Sequence, residues 1–343
     1  MSARPHIGWG FVGASTWAGA YMIPAVRSQP DARLVGVFST SPERGARVAE
    51  DHGLERSYTS LDALLGDPEI AAVYISTTND LHAEQTIAAA RAGKHVLCEK
   101  PLAVTFADAM RMRQACAEAG VVLAVNHHQR GAPTITAMRA LVEQGAIGEV
   151  VAARIFHARL LPEAFRTWRL DRPEAGAGVV LDITVHDADT LRFVLGDEIV
   201  EVTARTTNQG LAEGSIEDSI MGVMRTSRGP LVSFHDSFTV PHAGTGLEVH
   251  GTTGSLFGRD LLMAEPVGDV FLRRDDDVEP VTIPERWPLY ELVVRRFHAA
   301  VRGEGAPLAS GDDGVASLAI ALAALESARS GRPVAPADWR DEG

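Results

Sequence analysis

Basic charge is scarce in this 343-residue chain, because 45 acidic residues outnumber 32 basic ones and leave a net charge of −13. A nucleic-acid-binding protein needs a basic face that replaces counterions, so this balance argues against a nucleic-acid partner. Long apolar runs are also missing. The longest nearly unbroken one, Val315–Leu325, is well short of the ~20 residues that cross a bilayer, so no membrane partner is expected.

Cysteine is nearly absent as well. The two cysteines, Cys98 and Cys116, imply no disulfide framework and fit a reducing cytoplasm. They form no C-x-x-C motif, and the histidines lack ligand spacing, so we expect no metal site. The adjacent His127 and His128 would point to opposite faces of a strand and could not share a metal ion. The amino terminus has no apolar segment behind a basic start, which favours a first strand over a signal peptide.

Short apolar segments alternate with amphipathic ones over the first 128 residues. Strands are predicted at 6–12, 33–38, 71–76, 95–98 and 121–126. Helices are predicted at 18–28, 41–52, 60–67, 81–92 and 105–120, with Ser41, Ser60 and Thr105 as N-caps. Continuous apolar strands separated by helices indicate a parallel sheet that is covered on both faces.

The pattern changes after residue 128. A helix at 133–144, a long strand at 149–160 and a helix at 179–195 precede several strands within 199–283. Helices at 289–302 and 314–330 close the chain, and the acidic run Asp275–Asp277 is expected to be a turn. The prediction is an α/β domain over 1–128 followed by an α+β domain over 129–343. We expect the second domain to have an open, mostly antiparallel sheet, and the site to lie at the domain interface. The chain is expected to be either a monomer or a homo-oligomer that associates through this open sheet.

A small-residue turn follows the first predicted strand. Gly13, Ser15 and Ala18 match the spacing of the dinucleotide fingerprint G-x-G-x-x-G/A, with serine at the second glycine. The first glycine permits the tight turn, and the helix N-terminus behind it attracts phosphate through free N–H groups. The alternative is a strand–turn–helix whose small residues serve packing alone.

The end of the second strand bears on which dinucleotide is bound. An NAD site usually has Asp or Glu there, whereas this strand ends in Ser39 and Thr40, with Arg44 close behind. Two hydroxyls and a guanidinium suit a 2′-phosphate, so the sequence favours NADP. Arg44 would otherwise be a solvated helix charge.

Two further segments carry groups suited to catalysis. Glu99-Lys100-Pro101 directly follows a predicted parallel strand, where doubly wound sheets place ligands. Asp182 and His186 are four residues apart on a predicted helix and share one face. The alternatives are a solvated Glu–Lys pair and a structural histidine.

The fingerprint turn, Glu99-Lys100-Pro101 and Asp182-x-x-x-His186, in this order, resemble the glucose–fructose oxidoreductase, inositol dehydrogenase and rhizopine-catabolism (GFO/IDH/MocA) family. The likeness covers nearly the whole chain. Longer segments resemble a sugar-ketone-reducing subgroup at 13–18, 39–44, 76–82, 126–130, 168–195 and 248–256. Serine at the second glycine departs from the wider family but fits this subgroup.

The resemblance implies a Rossmann domain and a second domain whose open sheet backs a small-molecule sugar substrate. It implies reduction of a sugar ketone by NADPH, from 1,5-anhydro-D-fructose to 1,5-anhydro-D-mannitol. The cofactor positions carried over are Gly13, Ser15, Thr16, Trp17, Ala18, Ser39, Thr40, Arg44, Thr77, Thr78, Asn79, Leu81, His82, Glu99, Lys100, Asn126, Trp168, Arg169 and Tyr290.

The chemistry of ketone reduction assigns roles to three side chains. His186 is expected to protonate the developing alkoxide, because imidazole titrates near neutrality. Lys100 would stabilise that oxygen and orient the sugar, and Asp182 would hold Lys100 or His186 in place. Lys100 remains an alternative proton donor. Two other functions stay open, an inositol or sugar dehydrogenase that works in the oxidative direction and a non-catalytic NADP-binding sensor.

Overall fold

The computed structural model describes residues 6–283 and 285–336. The chain divides into two compact units. The first comprises the residues up to His127 together with Tyr290–Val315, and the second comprises His128–Leu289 together with the residues from Ala316 onward. No helix among the described residues is long and apolar enough to cross a membrane.

A six-stranded parallel sheet forms the first unit and confirms the predicted sheet type. Its spatial order is β3-β2-β1-β4-β5-β6. The strands are β1 (Ile7–Val12), β2 (Ala32–Phe38), β3 (Arg56–Tyr58), β4 (Ala72–Ile75), β5 (His95–Cys98) and β6 (Leu123–Val125). The chain order reverses between β1 and β4, which is where doubly wound sheets bind ligands.

Five helices connect these strands. They are α1 (Ile23–Arg27), α2 (Pro42–Asp51), α3 (Leu61–Leu65), α4 (His82–Arg91) and α5 (Phe106–Glu118). The predicted caps are confirmed: Ser41, Ser60 and Thr105 each accept a hydrogen bond from the backbone N–H three residues on. The helix predicted over 18–28 begins as a π-helical turn at Ala18–Met22 and continues as α1.

The second unit contains an open sheet with the order β14-β13-β12-β11-β7-β10-β9-β8. The strands are β7 (Val150–Ala158), β8 (Ile199–Thr207), β9 (Ser219–Thr226), β10 (Leu231–Ser237), β11 (Gly246–Gly251), β12 (Ser255–Arg259), β13 (Asp269–Arg274) and β14 (Asp277–Pro280). The β7–β10 pair is parallel, and the other neighbouring pairs of described strands are antiparallel. The predicted open, mostly antiparallel sheet is therefore confirmed.

Three helices of the second unit precede most of these strands, namely α6 (Pro133–Glu143), α7 (Trp168–Asp171) and α8 (Val185–Leu195). The helix predicted over 179–195 begins as a π-helical turn at Val180–Thr184 and continues as α8. Most of α8 is buried, polar residues included, whereas Met221, Val223 and Leu231 on β9 and β10 are exposed. The chain closes with α9 (Leu289–Val301) and α10 (Gly311–Ser330).

Candidate active site

The turn after β1 has the geometry that its glycine predicts. Gly13 has a φ of +103°, a conformation that L side chains rarely adopt. A Cβ at this position would lie 3.1 Å from the Thr77 methyl group and 3.2 Å from the backbone of Ser76. Gly13 therefore lets the turn pack closely against the end of β4, and this tight turn, the Gly13 cradle, lies at the carboxyl end of the sheet.

Ser15 takes a role that its position in the fingerprint did not predict. Its hydroxyl accepts a hydrogen bond from the Ala18 N–H at 3.0 Å and donates one to the Ser76 hydroxyl at 2.9 Å. The serine thus caps the following helix and ties the turn to the end of β4. Ala18 is buried, as its packing role requires, and Thr16 is exposed.

The tip of β2 brings together Ser39 and Arg44, from which the sequence predicts NADP. Arg44 donates from Nε to the Ser39 hydroxyl at 3.3 Å, so its guanidinium stem is held at the strand end. The Ser41 hydroxyl caps α2 and also contacts Glu43. Ser39 is buried, while Thr40 and Arg44 are exposed.

The remaining cofactor candidates of this unit follow the other strands at the same edge. Thr77, Thr78 and Asn79 follow β4, Glu99 and Lys100 follow β5, and Asn126 follows β6. Leu81, which is exposed, and His82, which is buried, come shortly after Asn79. The two ring nitrogens of His82 contact the carbonyl oxygens of Pro101 at 3.0 Å and Thr77 at 3.3 Å. His82 thereby links two of these loops.

Glu99 is not a solvated charge. Its carboxylate accepts hydrogen bonds from the Tyr74 hydroxyl and, at 2.6 Å, from the Asn126 side chain. Burial raises the pKa of Glu99 above its usual value, although these hydrogen bonds and the nearby Lys100 charge oppose the shift. The Lys100 N–H also lies 3.4 Å from this carboxylate, so Glu99 helps to define the backbone that carries Lys100.

Three aromatic side chains cluster beside the turn that follows β1. The rings of Tyr21 and Tyr290 stack with their centroids 5.0 Å apart, and Trp17 meets Tyr290 edge-on at 6.3 Å. Trp17 and Tyr290 are both expected cofactor positions, and the first unit does bring them together. Tyr21 was not predicted because nothing in its local pattern distinguishes it from a helix-packing residue.

In the second unit, Asp182 lies within the π-helical turn and forms an ion pair with Arg169. Arg169 Nε donates to Asp182 Oδ2 at 3.3 Å, and its guanidinium lies 4.7 Å from the centroid of the Trp168 ring. Arg169 is therefore an ion-pair partner of Asp182.

His186 lies on α8 and is 5% exposed. The His128 ring contacts it edge-on, with centroids 5.0 Å apart. His127 and His128 are not on a strand, because β6 ends at Val125 and a 3₁₀ turn begins at His128. The expectation that His127 and His128 lie on a strand is therefore wrong, and His128 packs against His186.

A buried ion pair joins that 3₁₀ turn to α8. Arg130 donates from Nε and Nη2 to the two carboxylate oxygens of Asp189, each at 2.7 Å. The adjacent Gln129 accepts from the Thr190 hydroxyl at 2.9 Å. Within the described ranges, no group of three or more His, Cys, Asp or Glu side chains is arranged to hold a metal ion.

Comparison with known proteins assigns both units. The profile of the oxidoreductase family with an NAD-binding Rossmann fold matches residues 7–127, and that of the GFO/IDH/MocA C-terminal domain matches residues 135–257. The 1,5-anhydro-D-fructose reductase of Ensifer adhaerens is 51% identical over 324 residues, which cover 94% of this chain and 97% of the relative. The chain belongs to the GFO/IDH/MocA family.

Solved structures agree with this assignment. The aldose–aldose oxidoreductase of Caulobacter crescentus superposes with a TM-score of 0.89 at 27% identity, covering 96% of this chain and 99% of the other. A levoglucosan dehydrogenase in complex with NADH and levoglucosan gives 0.86 at 26% identity, with the same coverage of each chain. This GFO/IDH/MocA member is an oxidoreductase of sugar-type small molecules, and its first unit is of the nicotinamide-dinucleotide-binding type.

Proposed function

We propose that this enzyme uses NADPH to reduce a sugar ketone, converting 1,5-anhydro-D-fructose to 1,5-anhydro-D-mannitol. The observation that carries the proposal is the 51% identity with the Ensifer adhaerens reductase over nearly the full length of both chains. The side chains needed for such chemistry are present in each unit, with Lys100 at the sheet edge of the first and Asp182 and His186 in the second.

The preference for NADPH rests on the tip of β2. Ser39 directly follows this strand, at the position where NAD enzymes usually carry an acidic residue. Arg44 donates a hydrogen bond to the Ser39 hydroxyl. A positively charged guanidinium beside hydroxyl groups can donate hydrogen bonds to a negatively charged 2′-phosphate. The Gly13 cradle and the helix N-terminus behind it would hold the pyrophosphate, and Trp17 and Tyr290 would contact the same cofactor.

NADPH bound to the first unit would supply a hydride for the ketone carbon. His186 gives a proton to the carbonyl oxygen as negative charge develops there, which general acid catalysis requires. Lys100 stabilises the same oxygen with a fixed positive charge. Asp182, whose carboxylate accepts a hydrogen bond from Arg169, would hold His186 in place, and Lys100 is the alternative proton donor.

A second candidate is a sugar or inositol dehydrogenase that works in the oxidative direction. The observation in its favour is the structural match to a levoglucosan dehydrogenase that binds NADH. The two functions differ in substrate oxidation state and in cofactor, so one set of assays separates them.

The test is a spectrophotometric assay of the purified protein in both directions. NADPH and NADH consumption is followed with 1,5-anhydro-D-fructose, other ketoses and osones, and NADP⁺ or NAD⁺ reduction with levoglucosan and inositols. We expect the highest kcat/KM for 1,5-anhydro-D-fructose with NADPH. Faster oxidation of a polyol would support the dehydrogenase, and tight NADPH binding without turnover of any substrate would indicate a sensor.

Location and assembly belong to the same proposal. We place the enzyme in a reducing cytoplasm, because Cys98 and Cys116 are buried free thiols. Its partner is a small sugar, and it is a monomer or a homo-oligomer that associates through the open sheet. Sedimentation of the purified protein at several concentrations decides between these two assemblies.

A further inference from the structure

We propose that Asp187 and Asp236 share one proton and act as positioning residues for the helix that carries His186. The positioning role rests on the proposed function of His186, whereas the shared proton is independent of it. The two carboxyls come from different elements of the second unit, with Asp187 on α8 and Asp236 on β10. Both residues are 0% exposed.

Each carboxyl has one partner outside the pair. His157 on β7 contacts Asp187 Oδ1 through its Nδ1 at 2.9 Å, and the Thr184 hydroxyl donates to Asp236 Oδ2 at 2.6 Å. His157 and Asp236 are register partners on the neighbouring parallel strands β7 and β10, so both side chains project to the same buried face. The two remaining oxygens, Asp187 Oδ2 and Asp236 Oδ1, are buried and have no hydrogen-bond partner among the described residues, and one proton shared between them completes a hydrogen-bonded chain from Thr184 to His157.

One proton on this pair satisfies all four groups. Two ionised carboxylates side by side in a buried site repel each other, and neither could donate the hydrogen bond that joins them. A protonated Asp236 donates to an ionised Asp187 and still accepts from Thr184. An ionised Asp187 accepts from both Asp236 and His157.

The electrostatic environment favours protonation of this pair. Burial raises the pKa of Asp187 to about 8, and burial together with the Asp187 charge raises the pKa of Asp236 well above its ordinary value. The groups that act on the pair are His157 from β7 and Thr184 from the π-helical turn, and both favour the charged form of Asp236. Because the pair is coupled, its two protons leave in steps that belong to the pair.

The positioning role follows from where these hydrogen-bonded side chains attach to the helix. Thr184 ends the π-helical turn, His186 is the second residue of α8, and Asp187 is the third. The hydrogen-bond register changes at this point, and a change of this kind often marks a functional segment. The bonds from Thr184 and Asp187 to two adjacent strands fix where α8 begins and how far it is rotated. They therefore set the direction of the His186 side chain that lies between them.

Apolar residues of similar volume would hold this helix with no desolvation cost. Hydrogen bonds add direction, which apolar packing does not supply. This difference separates a positioning role from a stabilising one and defines the variants to compare. Asp236→Asn retains a donor towards Asp187 and an acceptor for Thr184. Asp236→Leu keeps a similar volume and removes both hydrogen bonds.

The first experiment detects the proton itself. Infrared difference spectra between wild type and Asp236→Asn, recorded at pH 7, should contain the carbonyl stretch of one buried neutral carboxyl that the variant lacks. This readout needs neither substrate nor cofactor. Its absence in the wild-type protein would overturn the shared proton whatever the enzyme reduces.

The second experiment tests positioning. With the best substrate of the assay above, Asp236→Asn should keep a kcat close to wild type, while Asp236→Leu should lose on the order of tenfold or more, as expected when a catalytic group is misplaced. NADPH affinity, measured by fluorescence titration, should be the same in both. Equal kcat in the two variants would overturn the positioning role.

A third readout remains if no substrate is turned over. In protein labelled with ¹⁵N at histidine, the imidazole signals of His186 should shift in Asp236→Leu and stay in place in Asp236→Asn. Should Asp236→Leu fail to fold, Thr184→Val removes one hydrogen bond of the chain alone and should move the same signals. Unchanged His186 signals in folded Asp236→Leu or Thr184→Val would overturn the positioning role.

Discussion

Replacing Arg130 with methionine should destabilise the second unit severely. Its guanidinium makes two hydrogen bonds of 2.7 Å to Asp189, and the exposed side-chain fractions are 7% for Arg130 and 1% for Asp189. Removing the arginine leaves a carboxylate that has lost both of these bonds in a site that water does not reach. Breaking a buried pair in this way typically costs ~3–5 kcal/mol.

Arg139 offers a matched control, because both arginines stack on the same ring. The Arg139 guanidinium lies 4.3 Å from the centroid of Phe193 and that of Arg130 lies 5.2 Å from it. Arg139 pairs with Glu143 at the surface, where the side chains are 38% and 56% exposed. Arg139→Met should therefore cost less than ~1 kcal/mol, as exposed pairs do.

The assay is urea unfolding followed by circular dichroism, with Tm from calorimetry as a second measure. For a unit of this size a loss of ~3–5 kcal/mol corresponds to a Tm decrease on the order of 10 °C. The double variant Arg130→Met with Asp189→Leu removes both charges and should recover most of the loss, because the two sites are coupled. The reasoning is refuted if Arg130→Met costs no more than Arg139→Met, or if the double variant is as unstable as the single one.

Three further predictions concern the cofactor, the catalysis and the pH response. Ser39→Asp should repel a 2′-phosphate and shift the ratio of kcat/KM values towards NADH by about one charged hydrogen bond, ~1.5–3 kcal/mol, and a wild-type preference for NADH would contradict it. His186→Ala should lower kcat by ~10²–10⁴ and leave NADPH affinity in fluorescence titrations nearly intact, whereas near-normal turnover would assign the proton to Lys100. Burial raises the pKa of Glu217 from 4.5 to about 7, so the folded state binds this proton more tightly than the unfolded chain, and wild type loses stability as pH rises through that window. Glu217→Gln does not titrate, and its side chain can still accept the hydrogen bond that the Val180 N–H donates to Glu217 at 3.2 Å. In urea unfolding, this variant should therefore be more stable than wild type at pH 8 but little different at pH 5. An equal difference at both pH values would refute the assignment.

Features that depend on neighbours in sequence were predictable. The apolar strands, the hydroxyl caps of α2, α3 and α5, and the tight turn at Gly13 each follow from a few consecutive residues. The sheet type follows as well, because strands that alternate with helices must run parallel. The short β3 was missed, since three half-exposed or exposed residues carry no apolar signal.

The missed features depend on residues that are far apart in the chain. Arg130 and Asp189 are 59 residues apart, and Tyr21 stacks on Tyr290 from the far end of the sequence. The sequence around either residue of such a pair does not indicate which distant residue it contacts. The π-helical turn at Val180–Thr184 was missed for a different reason, because apolar periodicity cannot distinguish it from the α-helix that continues it.

The acidic residues around His186 show what this difference means for function. In the sequence, Asp182 shares a helix face with His186, whereas Asp187 and Asp189 look like additional charges without a role. In the structure they bind three different segments of the second unit, through Arg169, His157 and Arg130. Each buried carboxylate costs desolvation free energy that apolar residues would avoid, so stability alone does not explain three of them within eight positions. Three directional contacts from three segments restrict both the rotation and the shift of this helix, which is what a proton donor at a fixed position requires.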